Sequence, residues 1–304
     1  MEIYLDNAAT SYPKPECVYE AMRNYLENIG ANAGRSAHRR AQEASRLVFE
    51  TREAVANLIG VKDSSRIIFT QNATEALNLT ILGIGLGSGD IVLSSSIEHN
   101  SVMRPLRYLE KEKGIKIKTV ECMSDGQLII ETLKSKITKN IKLIVVNHAS
   151  NVIGTIQPIR EIGKIARKHG IPFLVDAAQS IGCLPLDVER DPIDLLAFSG
   201  HKGLLGPQGI GCLYIREGIE LKPLKFGGTG SNSESQFQPD FLPDKFESGT
   251  LNLPGIAGLK AGIEFVLSKG IGNIRNHIHD LTRVLVEKLS KIDEVIIYGP
   301  KDLN

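Results

Sequence analysis

Ile193-Asp194-Leu195-Leu196-Ala197-Phe198 runs directly into Ser199-Gly200-His201-Lys202 and then into Gly203-Leu204-Leu205-Gly206-Pro207. The first stretch is mostly apolar and reads as a buried strand. The last is too rich in Gly and Pro to continue any regular element. Lys202 is thereby placed at the mouth of a buried strand. Partial desolvation there lowers an amine's pKa and frees it for covalent chemistry with a carbonyl group. A lone lysine in such a loop would simply be solvated. Upstream, however, Leu174-Val175-Asp176-Ala177-Ala178-Gln179 sets an acid at the end of another apolar strand. A strand-end acid and a strand-end lysine at the same kind of edge point to one site.

Working outward, the chain alternates apolar strands with amphipathic helices. Strands are expected at Arg66–Phe69, Asp90–Leu93, Ile115–Val120, Leu143–Val146, Phe173–Val175 and Gly211–Ile215. Helices are expected near Pro15–Asn28, Ala37–Ile59, Thr74–Leu86, Ser101–Lys113, Ile159–His169, Ile256–Leu267 and Asn273–Lys291. Repeated strand–helix–strand units of this kind imply an α/β fold whose mostly parallel sheet is covered by helices on both faces. From Leu224 to Leu253 periodicity gives way to Gly, Ser, Asn, Gln and Pro, the composition of a long functional loop or connecting segment. A final strand is expected at Val295–Tyr298. No internal repeat is evident.

The chain has 304 residues and a formal net charge of +1. That length allows a substantial core and more than one domain. So balanced a charge argues against nucleic acid as a dominant partner. No run of eighteen or more apolar residues and no signal-peptide pattern is present, so no membrane partner and a cytoplasmic location are expected. Cys17, Cys122, Cys183 and Cys212 are scattered without Cys-x-x-Cys spacing, which indicates neither a metal site nor a disulfide framework.

Pyridoxal phosphate uses an acid and a lysine as a pair: the lysine holds the cofactor and the carboxylate keeps the pyridine nitrogen protonated. Val175-Asp176-Ala177-Ala178-Gln179 followed by Phe198-Ser199-Gly200-His201-Lys202 resembles the class V aminotransferase family of fold-type I enzymes. Within it the match is to the cysteine desulfurase and selenocysteine lyase group. The resemblance runs from Tyr4-Leu5-Asp6-Asn7-Ala8-Ala9-Thr10 to the end of the chain.

The resemblance implies a fold-type I pyridoxal phosphate-dependent transferase. Residues 1–14 would belong to a small domain, 15–253 would form the large cofactor-binding domain, and 254–304 would begin an incomplete small C-terminal α+β domain. Lys202, His99 and Asp176 would be catalytic, His99 by stacking on the cofactor ring and assisting proton transfer. Ala73, Thr74 and Glu75 follow a strand and open a helix. That pattern by itself is an ordinary N-cap, and the resemblance makes it the phosphate loop. Ser199 and His201 would complete the phosphate cup, Asn151 and Gln179 would suit the phenolic oxygen, and Thr250 would reach the phosphate of a neighbouring subunit. A site shared in this way implies a two-fold homodimer.

The implied reaction converts L-cysteine, or L-selenocysteine, to L-alanine and leaves persulfide sulfur on the enzyme for a sulfur-acceptor or scaffold protein. The thiol and the substrate-carboxylate arginine of the family would fall beyond Asn304, so the chain reads as cut short and its catalytic cysteine as lost. A class V aminotransferase, a β-lyase, and a non-catalytic cofactor- or partner-binding fragment stay open as alternatives. Arg35, His38, Arg39 and Arg40 form a basic patch at a helix start, against the helix dipole, which suggests a nearby anion.

Overall fold

The computed structural model describes residues 3–34, 36–232 and 234–300. Seven strands form one sheet: β1 (Ile67–Thr70), β2 (Ile91–Ser95), β3 (Lys116–Val120), β4 (Ile141–Asn147), β5 (Phe173–Asp176), β6 (Leu195–Ser199) and β7 (Gly211–Ile215). Their order is β1-β7-β6-β5-β4-β2-β3. β7 runs antiparallel to both its neighbours, and every other pairing is parallel. The expected α/β architecture is therefore present, with one reversed strand near an edge.

Eight α-helices are described: α1 (Glu16–Asn24), α2 (Arg39–Leu58), α3 (Ala73–Gly83), α4 (Asn100–Lys113), α5 (Ile130–Lys136), α6 (Ile159–Lys168), α7 (Leu253–Lys269) and α8 (Ile271–Leu289). Successive strand residues point to opposite faces, and both faces are buried. On β6, Leu195 and Ala197 pack into a core that includes Leu77 and Ile81 of α3 and Val102 and Leu106 of α4. Leu196 and Phe198 pack into the opposite core with Val55 of α2, Ile162 of α6, and Ile256, Leu259 and Ile263 of α7. A strand with both faces covered reads as a continuous apolar run, which is why the central strands stood out in the sequence.

Two expectations change. α5 was not anticipated; its seven residues are short and only Leu133 is buried, so its periodic signal is weak. Val295–Tyr298 forms no strand. Its short apolar run pairs with no strand among the described residues, and Ile296 and Tyr298 stay exposed. α7 lies in the same core as the sheet.

Candidate active site

Segments leaving the carboxyl ends of β1, β2, β4, β5 and β6 converge on a cavity of 310 Å3. This is where open α/β sheets place ligands, because neighbouring connections diverge there and leave a crevice.

The cavity's first wall is the start of α3. Asn72 caps the helix, its Oδ1 accepting the Glu75 N–H at 2.9 Å. Ser199 Oγ accepts the Ala73 N–H at 2.9 Å and ties the end of β6 to the same turn. Gly211 makes this approach possible. A Cβ there would sit 2.7 Å from Asn72 Cα and from the Phe198 carbonyl oxygen, which would push the helix start off the sheet. Thr74 Oγ1 and Ser101 Oγ lie 2.8 Å apart, so two hydroxyls line this end beside a helix N-terminus. Such a terminus favours an anion.

The opposite wall carries Asp176, buried at the end of β5. Its Oδ1 accepts the Ala178 N–H at 2.9 Å. Burial pushes its carboxyl above the ordinary carboxylate range, while the Ala178 bond and the nearby Lys202 and His99 pull the other way. A ligand cation would relieve that cost. Lys202 is half-buried, and desolvation pulls its amine down against the opposing pull of Asp176. The lysine and the acid therefore share one cavity and act on each other electrostatically.

His99 caps α4. Its Nδ1 accepts the Ser101 N–H at 3.1 Å, which leaves the ring proton of the neutral form on Nε2. His201 is drawn down by burial and by Lys202 and Lys14, and its buried Nδ1 has no hydrogen-bond partner. Asn151 and Gln179 also line the cavity. Gln179 Nε2 donates to the Ala8 carbonyl at 2.9 Å and holds the N-terminal segment across the opening.

That segment has a second anchor which the sequence reading missed. The His201 carbonyl accepts from Ser11 N at 3.1 Å and from Lys14 Nζ at 2.7 Å. Burial lowers the Lys14 amine to about 8. Ser101 and Asn147 are further lining residues that went unread. Ser101 stands two residues after His99, and Asn147 lies opposite Asp176 in the strand register. Only the pairing of β4 with β5 exposes that relation.

Two expected residues lie elsewhere. The Glu75 side chain accepts the Gln71 N–H at 2.6 Å and pairs with Lys225, so it turns away from the cavity. Thr250 is exposed and lines a separate depression with Glu75 and Lys225. Of the basic patch, Arg35 lies outside the described residues. His38 caps α2, and Arg39 is exposed and paired with Glu43 at 2.8 Å, so a carboxylate already answers that cation.

The model of the family described as aminotransferase class V matches residues 3–304. The chain belongs to the class V aminotransferase family. Among curated relatives of this class V aminotransferase, a probable cysteine desulfurase of Pyrococcus abyssi is 40% identical over 309 residues, spanning 99% of this chain and 76% of the relative. The solved apo structure of a cysteine desulfurase from Thermococcus onnurineus is also 40% identical, with a TM-score of 0.94, covering 99% of this chain and 76% of that one. The Escherichia coli cysteine desulfurase CsdA is 30% identical with a TM-score of 0.86, covering 95% and 73%.

Pyridoxal phosphate is the cofactor of this family, and the cavity suits it. Hydroxyls and a helix start, a buried acid, a desolvated amine beside that acid and a partnerless buried His201 nitrogen all line it.

Proposed function

We propose that this class V aminotransferase is a cysteine desulfurase acting on L-cysteine, with pyridoxal phosphate held at Lys202. The observation that carries the reading is the meeting of Lys202 and Asp176 in one cavity whose far end is a hydroxyl-lined helix start. When bound, the cofactor supplies an electron sink for charge developing at the amino acid's α-carbon. The desolvated Lys202 amine would form the covalent link and, once displaced by substrate, would take up the α-proton. Asp176 would keep a proton on the pyridine nitrogen. Thr74, Ser199 and His201 would hold the phosphate, and His99, with its proton on Nε2, would face the ring. Asn151 and Gln179 would serve the phenolic oxygen.

None of the four cysteines lines the cavity. Burial raises the Cys183 and Cys212 thiols, which disfavours the nucleophilic thiolate. We therefore assign the sulfur-accepting thiol to none of them. The position of Thr250, exposed and outside its own subunit's cavity, supports a homodimer in which it serves the partner's phosphate. We also place the boundary of the large domain at Gly270 rather than after residue 253, because α7 shares the sheet's core. A sulfur-acceptor protein and the choice between cysteine and selenocysteine remain part of the proposal. Among the described residues no helix is long and apolar enough to cross a membrane.

The test is to load the protein with pyridoxal phosphate, reduce it with borohydride and locate the label by peptide mapping. It is expected on Lys202, and a Lys202→Ala protein that still fixed the label would overturn the assignment. Alanine formation from L-cysteine that depended on Cys17, Cys122, Cys183 or Cys212 would overturn the exclusion of those thiols.

A further inference from the structure

Directly beneath the cavity, the turn that carries His99 buries a carboxyl group which the proposed reaction does not use. Glu98 Oε1 accepts the Ser95 hydroxyl at 2.5 Å and the Asn147 N–H at 3.0 Å. The Asn147 amide closes the same junction by donating to the Ile97 carbonyl at 3.2 Å. Two bonds thus join the turn before α4 to the end of β4, and the Ser95 bond ties the same carboxyl to the end of β2. Asn147 in turn lies beside Asp176 in the β4–β5 register, and His148 N donates to the Asp176 carbonyl at 2.9 Å. The junction stands between the His99 turn and the acid on the cavity wall.

Its hydrogen-bond count does not close if Glu98 is ionised. Glu98 Oε2 and Asn147 Oδ1, on the two residues that share the bond, are both buried without a partner. Two orphan acceptors buried on the residues of one polar junction are costly. A proton on Oε2 turns one of them into a donor. The charges around Glu98 favour the same state. Asp176, on β5, is the charged group that acts on it, and His148, the residue after Asn147, is itself held neutral, its pKa pushed down to about 4 by burial. His99 follows on the same turn, and Lys202 lies nearer to Asp176, which it helps to ionise. Two buried carboxyls so placed do not both carry charge readily. Burial pushes the Glu98 carboxyl up to about 8.

We propose that Glu98 is a positioning residue stored as a neutral acid, which pins the His99 turn to the end of β4 beside the strand that carries Asp176. Its consequence for catalysis rests on the reading of the cavity as a cofactor site, but the state of Glu98 does not. The sign of its effect on stability follows from linkage. The folded protein holds the Glu98 proton more tightly than the unfolded chain, so stability is full below the unfolded value and falls as pH rises toward about 8.

The experiment uses the 304-residue chain without cofactor, labelled with 13C at the glutamate side-chain carboxyl so that Asp176 is silent. Infrared difference spectra between wild type and Glu98→Gln are recorded across pH, with thermal midpoints measured in parallel. A protonated-glutamate carbonyl band should persist in wild type above about pH 6 and be missing from the Gln variant, whose amide nitrogen replaces the protonated Oε2. The thermal midpoint of wild type should fall relative to Glu98→Gln as pH rises from about 5 to about 9. Absence of any protonated-glutamate band in wild type above about pH 6 overturns the proposal even if the variant does not fold. Parallel stability curves overturn it as well. Loading with pyridoxal phosphate then separates the two ideas: failure to load sinks the cofactor reading and leaves the infrared result standing.

Discussion

Two consecutive helices, α7 and α8, are 17 and 19 residues long and are separated by Gly270 alone, yet α7 buries nine residues and α8 none. Both carry enough apolar side chains to form an inward face. In α7, Ile256, Leu259 and Ile263 meet the sheet, and two glycines bring the helix against the loop that follows Lys202. A Cβ at Gly262 would lie 2.2 Å from the Leu204 carbonyl oxygen, and one at Gly258 would lie 2.7 Å from Pro207. α7 therefore backs the lysine loop. In α8, Ile278, Leu281, Val284 and Leu285 remain exposed. Amphipathic spacing makes a helix able to bury a face, but only a facing surface makes it do so.

The strongest way to break this contrast is at a buried ion pair that anchors irregular chain. Arg52 on α2 pairs with Glu247 through two bonds of 2.8 and 2.9 Å, and Glu247 also accepts the Phe69 N–H at 2.7 Å. These bonds hold the segment carrying Thr250 against β1. Arg52→Ala leaves a buried carboxylate unpaired and should cost about 3–5 kcal/mol in urea unfolding. A loss near that of an exposed pair would show that this loop is no part of the cooperative core.

Next in size is Asp176→Asn, which should keep the fold and the cofactor while turnover in exchange of an amino acid's α-proton with solvent deuterium, a step that needs no enzyme thiol, falls on the order of a hundredfold or more, as when one preorganised electrostatic group is removed. Near-normal turnover would place Asp176 outside the chemistry. The helices themselves supply the finest test. Ile263→Val removes one methyl group from a fully buried site in α7 and should cost about 0.5–1.5 kcal/mol. Leu281→Ala removes far more from α8, where Leu281 is 58% exposed, and should stay within about 0.5 kcal/mol. If the α8 change costs more, α8 packs against a surface in solution that the described residues do not provide.

Much of the site was legible because its residues stand at strand ends. Asp176 closes β5, Ser199 closes β6, and Lys202 follows at once, so an apolar run ending in a polar residue marks each position. Asn147 ends β4 in the same way but was passed over, because its meaning depends on lying opposite Asp176. For Glu75 the limit is the converse: its place in the first turn of α3 is visible in sequence, whereas the turn of its side chain toward Lys225 is not.

The sequence by itself determined the alternation of strands and helices, the buried sheet and the lysine–acid pair, since these follow from local periodicity and from the cost of leaving polar groups at the ends of apolar runs. It could not decide the reversal of β7, the unpaired fate of Val295–Tyr298, the burial of α7 against the exposure of α8, or the burial of Glu98 beneath the cavity. Each of those depends on which surface meets which across long separations in the chain. A burial free energy belongs to a pair of surfaces, and a single segment specifies only one of them.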